Sequence, residues 1–270
     1  METMIKIQSK FLRELNAVIA VTAREISVAL KSPGSIIMSF AMPIVMMGMI
    51  GGNLMENMTG GLGFDFGKFM LVGMLVNTMF MLTATGVSSL VDDHDSNFSE
   101  EMLVAPVSRY SIVIGKICGA MFTAIISLIA TLIVGFVMGI TLTAGQLLSV
   151  LALSPLICLS AGALVMIFIG FIRKKATANM LVMLIVMSQM FLSGAVIPIN
   201  NSQGVLMVLS RILPMTYCLD LARAAVYSGT TEYNSIVMFN PAVTFAVIIA
   251  LTVIFLIIGT FFYSRSEKNR

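Results

Sequence analysis

The chain has 270 residues, of which 58% are hydrophobic and only 11% charged, with a mean hydropathy of +1.00. Soluble globular domains carry about 25% charged residues. This composition therefore excludes a water-soluble domain and describes an all-α integral membrane protein with room for six helical spans and no separate nucleotide-binding or catalytic domain. The net charge of +3 decides little, because in a membrane protein the placement of Lys and Arg carries the information.

Residues 1–32 read as an amphipathic helix. Ile7, Phe11, Leu15 and Val18 share one helical face, and Lys6, Lys10 and Arg13 lie on another. Charges recur through the segment and no apolar core precedes a small-residue cleavage site, so it is not read as a cleaved signal peptide. The pattern suits a helix lying in the membrane interface; a helix packed against a partner is the alternative. Ser32-Pro33 then supplies a cap and a first-turn proline for a span at about 34–52, with Pro43 inside it expected to kink it.

Residues 53–68 read as a loop. Its stretch GLGFDFGKF superficially matches a phosphate-binding loop, but that pattern requires glycine where Leu62 stands and a hydroxyl where Phe69 stands, so the motif is absent. Further spans are expected at about 69–91, 112–140, 147–172 (with Pro155 inside), 176–197 and 243–263, followed by a polar tail. Lys116, near the start of the third, is placed to snorkel toward the headgroups. Gly115/Gly119 and Gly135/Gly139 have the spacing that lets helices approach closely, a weak signal in glycine-rich apolar sequence. Cys118, Cys158 and Cys218 have neither metal-ligand nor disulfide spacing and read as packing residues.

The insert between the second and third spans is the densest charge cluster. Asp92, Asp93, Asp95, Glu100 and Glu101 supply five of the thirteen carboxylates, beside the only histidine, His94. Ser99 followed by acidic residues and Met102-Leu103-Val104 reads as a short capped helix. Ala105-Pro106 ends it, and Ser108 is placed to cap the next helix. Read plainly, this is either a docking element or a solvated linker.

The insert resembles the loop between the second and third spans of ABC-2 type transporter permeases, whose pattern runs roughly E-R-E-x-G-T-L-E-x-L-L-V-S-P-V-S-R and, a few residues on, G-K. Asp93-His94-Asp95 stands for E-R-E, Glu100 for the later glutamate and Met102-Leu103 for the paired leucines. Ala105-Pro106-Val107-Ser108-Arg109 and Gly115-Lys116 follow in register. Asn97, Ser99, Ala105 and His94 depart from the pattern. Residues 198–240 carry a second, partial likeness: Leu213-Pro214-Met215-Thr216-Tyr217 resembles the family's N-P-L-T-Y segment, with Leu213 in place of asparagine. Asp220 and Arg223 follow it at a helical spacing that lets them pair. In the family this region forms short helices dipping into the outer leaflet; here a surface helix that steadies a loop is the other reading.

Lys and Arg fix an expected orientation. Thirteen of the sixteen fall on the side of the two termini and the 92–111 insert, and only Lys68, Arg211 and Arg223 on the other, which places both termini in the cytoplasm of a multi-pass cell-membrane protein. The resemblance implies an N-terminal elbow helix (1–32), a six-helix membrane domain (33–270), and a permease subunit that is not itself an enzyme. It implies no cofactor on this chain, since ATP and Mg would sit on separate ABC ATPase subunits, and a dimer with a second permease copy or paralogue. Membrane lipids are the other expected partner, and nucleic acid is not. Asp93, Asp95, Glu100, Glu101 and Arg109 are the expected ATPase-coupling residues, and Asp220/Arg223 an outer-loop pair. The cargo would be hydrophobic or amphiphilic, moved outward by the ATPase. An ion-coupled carrier or a non-transporting scaffold are the competing classes. The first is disfavoured because no Asp, Glu or His is read inside a span core, the second because a scaffold has no use for a capped, charged loop element.

Overall fold

The computed structural model describes residues 2–51, 64–91, 108–172, 174–199 and 204–268, and every regular element among them is helical. They are α1 (Glu2–Lys31), α2 (Pro33–Val45, continuing as π-helix over Met46–Gly51), α3 (Phe66–Ser88), α4 (Arg109–Val137), α5 (Ala144–Ile169), α6 (Lys175–Leu192), α7 (Val205–Ile212), α8 (Pro214–Val226), α9 (Tyr233–Ile236) and α10 (Pro241–Lys268).

Helix α3 is the axis of the bundle. Phe69, Val72, Met74, Leu75, Val76, Met79 and Phe80 are all inaccessible, walled in by α4, α5, α6 and α8. A helix apolar all round belongs in such a position. Helix α10, equally apolar, packs mainly along α5 and leaves Val243, Phe245, Val253, Ile257 and Phe261 exposed, as a helix facing lipid would. The α5–α10 contact is close because Gly259 lies against the α5 backbone; a Cβ there would meet Met166 and Ile167 at 2.7–2.9 Å.

Several ends follow from local chemistry. Pro33 opens α2 where the cap-and-proline signal placed it. The irregularity expected at Pro43 lies one turn later, where the winding widens to π at Met46. Helix α3 starts at Phe66, ahead of the expected 69, because Asp65 caps it by accepting the Lys68 N–H at 3.1 Å. Ser108 caps α4 as expected, accepting the Ser111 N–H at 3.2 Å. A reciprocal capping box, Thr143 with Gln146, opens α5.

Among the described residues four stretches are long and apolar enough to cross a membrane, or five if α7 and α8, bent by 82° at Leu213–Pro214, count as one. The expected span at 34–52 appears as α2 with its π-helical continuation, and that at 176–197 as the shorter helix α6. Helix α6 stops at Leu192 because Gly194, at φ +84°, turns the chain, and residues 193–196 run on as buried non-helical backbone.

Candidate functional site

Two regions of the bundle are built for more than packing. The first is the junction where α3 ends and α4 begins, on either side of residue positions 92–107. Its third wall is α1. Glu14 on α1 accepts the Ser108 backbone N–H at 2.9 Å and the Ser111 hydroxyl at 2.7 Å. Those two bonds hold its carboxyl below its ordinary pKa of 4.5, since both favour the charged form. Eleven residues on, Glu25 Oε1 meets Lys116 Nζ at 2.9 Å, and Lys116 also donates to Ser89 Oγ on α3 at 2.8 Å. Lys116 is only 2% exposed. It does not snorkel: its ammonium is fixed inside the protein by one carboxylate and one hydroxyl, and so ties α1, α3 and α4 together.

The glycine spacing explains how α1 comes close enough. A Cβ at Gly115 would sit 2.8 Å from Val21, and one at Gly119 would overlap the Glu25 side chain. Thr22 Oγ1 uses the same approach to donate to the Gly115 carbonyl at 3.2 Å. Gly135 admits Leu71 of α3 in the same way, whereas Gly139 ends α4 at φ +79°. The apolar stripe of α1 is thus divided. Its later part, from Val18, rests on α4, while Phe11 and Leu15 stay exposed.

The second region is a cavity of ≈350 Å³ between α2, α3 and α6. Five methionines (Met46, Met81, Met183, Met187, Met190) line it with Val186, and its polar walls are Asn77, Thr78, Thr85 and Asn179. Asn77 is buried and its Oδ1 has no hydrogen-bond partner. A smaller cavity of ≈280 Å³, lined by Glu25, Ser32, Leu82, Thr85, Ser89 and Thr123 among others, lies against the junction. Thr85 belongs to both.

Of the residues singled out from sequence, Asp93, Asp95, Glu100 and Glu101 lie outside the described residues. Arg109 is the first residue of α4, half-buried beside Ser108. Asp220 and Arg223 do not pair. Asp220 accepts the Met238 and Phe239 N–H groups at 2.6 and 3.2 Å and the Thr244 hydroxyl at 3.3 Å, anchoring the entry to α10. Arg223 donates to the Gly194 carbonyl at 2.7 Å and lies 3.7 Å from the Phe69 ring centroid. Helical spacing makes such a pair possible, but both side chains are buried and tertiary partners claim them first. Both are buried on α8, so the reading of a surface helix that steadies a loop does not hold. Glu14, Glu25, Ser89 and Asn77 were not legible as site residues. Their only sequence signal is that Glu14, Val18, Val21, Thr22 and Glu25 share a helical face, which gains meaning once α4 is known to lie against it.

The family model described as ABC-2 type transporter matches residues 16–227. This chain belongs to the ABC-2 type transporter family. The matched range runs from the docked part of α1 through α8 and includes the methionine cavity and all of the junction but Glu14. Two curated relatives, each named inner membrane transport permease YhhJ, from Escherichia coli K12 and Shigella flexneri, are 27% identical over 155 residues. That covers 56% of this chain and 41% of each relative, so the similarity spans less than half of the relatives' length.

Proposed function

We propose that this chain is the permease subunit of an ATP-driven exporter, moving a hydrophobic or amphiphilic molecule out of the cytoplasm. Separate ABC ATPase subunits, carrying ATP and Mg, would supply the energy. The observation that carries this reading is family membership across 16–227. The asymmetry of thirteen basic residues against three supports cytoplasmic termini and a cytoplasmic 92–111 insert.

Six spans are proposed, with α2 and α6 as the first and fifth. The 18 residues of α6 reach about 27 Å at 1.5 Å per residue, close to the ~30 Å hydrocarbon core. The 82° α7–α8 bend suits a re-entrant element between the last two spans. Exposed apolar side chains on α2 and α6, among them Ile37, Met49, Met180 and Leu184, support pairing with a second copy or paralogue.

Asp93, Asp95, Glu100, Glu101 and Arg109 are assigned the ATPase contact. A push on that element would reach the bundle through the α3 and α4 ends, which Lys116 and Glu14 bind to α1. The methionine cavity between α3 and α6 is assigned the cargo, because methionine adapts its shape to varied apolar surfaces. Asp220 does not favour an ion-coupled carrier, since three donors already occupy it.

The test is charge reversal. E100K/E101K should keep normal membrane levels and thermal stability, because charges of a polar insert between spans are expected to contribute little to folding. It should lose the ATPase in pull-downs and lose transport, since like charges brought together cost several kcal/mol. Reversing two basic residues on the ATPase should restore part of both. Full transport with the ATPase still bound would reduce the insert to a linker and sink the coupling assignment.

A further inference from the structure

We propose that Arg223 is a gating residue of the transport cycle, the latch that holds the outward end of the methionine cavity shut. The inference assigns a residue to the exporter proposed above and rests on that reading.

The two ends of that cavity are built differently. Helices α3 and α6 pass it antiparallel, Ser88 meeting Asn179 at one end and Gly73 meeting Ala195 at the other. At the first end the cavity-lining Thr85, Asn179 and Met183 are exposed, and the Ser88 hydroxyl reaches Asn179 Oδ1 at 3.1 Å. The second end is shut. Gly73 lies one turn before cavity-lining Asn77, and a Cβ on it would collide with the Ala195 carbonyl oxygen. Ser193, Ala195 and Val196 are buried there. Gln189, next to cavity-lining Met190, accepts the Met215 N–H of α8 at 3.1 Å. In the proposed orientation this closed end faces outward.

Arg223 completes the closure from α8. Its Nη2 donates to the Gly194 carbonyl at 2.7 Å, and its guanidinium carbon lies 3.7 Å from the centroid of the Phe69 ring, one turn before Gly73. One side chain, 2% exposed, therefore ties α8 to the α6 turn and to α3. The tie is suited to release. Burial strips a guanidinium of its hydration, and its partners among the described residues, a neutral carbonyl and a ring, return only part of what water gave. When the end opens, water reaches the cation and offsets the lost bonds, so the closed state is held by a small margin. A leucine plug would gain nothing from opening. Asp220, one turn back on α8, holds the Met238 and Phe239 N–H groups and the Thr244 hydroxyl. Helix α8 thus keeps its anchor at the entry to α10 while the Arg223 side chain moves.

The test uses the full chain with its three native cysteines replaced and a single cysteine at Met187, which lines the cavity between its two ends. Its reaction with a small, charged methanethiosulfonate is timed on intact cells and on inside-out vesicles. The parent should react from the cytoplasmic face, and about tenfold more slowly from outside. R223M should raise the outside rate about tenfold, the size of one lost charge-assisted bond, and leave the cytoplasmic rate unchanged. R223K keeps the charge and a donor and should stay near the parent. F69L removes the ring alone and should raise the outside rate less than R223M; it carries the test where R223M does not reach the membrane. A parent that reacts no faster from the cytoplasmic face, an outside rate untouched by these variants, or rates that rise together on both faces each overturns the assignment. Neither cargo nor ATPase takes part. An E100K/E101K variant that still transports would therefore sink the coupling assignment and leave this measurement as it stands.

Discussion

Lys116 illustrates how one side chain changes role between sequence and fold. A lysine near the start of a span is ordinarily a headgroup anchor, yet here it is 2% exposed and bound to Glu25 and Ser89. Burying a pair yields little net stability, but removing one partner strands the other charge at a cost of about 3–5 kcal/mol. E25A should therefore lower thermal stability by about that amount, and E25L/K116M should recover most of it. Thermal unfolding of the purified chain in detergent checks both. A double variant no more stable than E25A would remove the pair from its role as the tie between α1 and α4.

At the scale of elements, the attachment of α1 to α4 combines close backbone approach at Gly115 and Gly119 with the Glu14 contacts at the α4 N-terminus. Both Glu14 bonds are stronger to the carboxylate than to the neutral acid, and they lower its pKa in the folded chain. The contribution is therefore fully present above the ordinary value of 4.5 and disappears as pH falls through the lowered folded value. With the native cysteines replaced, spin labels on single cysteines in α1 and α4 should report a short distance at neutral pH and at pH 5 that lengthens only in stronger acid. E14Q should lengthen it at neutral pH and lose the acid-dependent step. A wild-type acid profile in E14Q would place the titrating group elsewhere.

For the whole molecule, the positive-inside asymmetry is the strongest statement about orientation. With the three native cysteines replaced, a cysteine at Ser96 should react with an impermeant reagent only after permeabilisation, and one at Thr59 on intact cells. Labelling of position 96 from outside would invert the arrangement. In the proposed orientation the α1–α3–α4 junction would face the cytoplasm, where the proposed ATPase would bind, and the α7–α8 bend would face the far side.

Hydrophobic content, helical class and the starts of most helices were set locally, by apolar runs, by Pro33, and by caps such as Ser108 and Thr143 whose effects reach only three or four residues. The family resemblance at 93–116 was equally legible, because its signal is contiguous. Partner choice was not. Asp220 and Arg223 stand three residues apart, yet each found buried donors or acceptors 18 to 29 residues away. Lys116 found Glu25, and Glu14 found Ser108, across more than ninety. Gly115 and Gly119 announced that something would come close; only the fold decided that it was α1. Four methionines of α6 recur at helical spacing in the sequence and three of them line the cavity, but a stripe lines a cavity only when facing helices leave space. Periodicity records which residues share a face, and tertiary structure alone decides what that face meets.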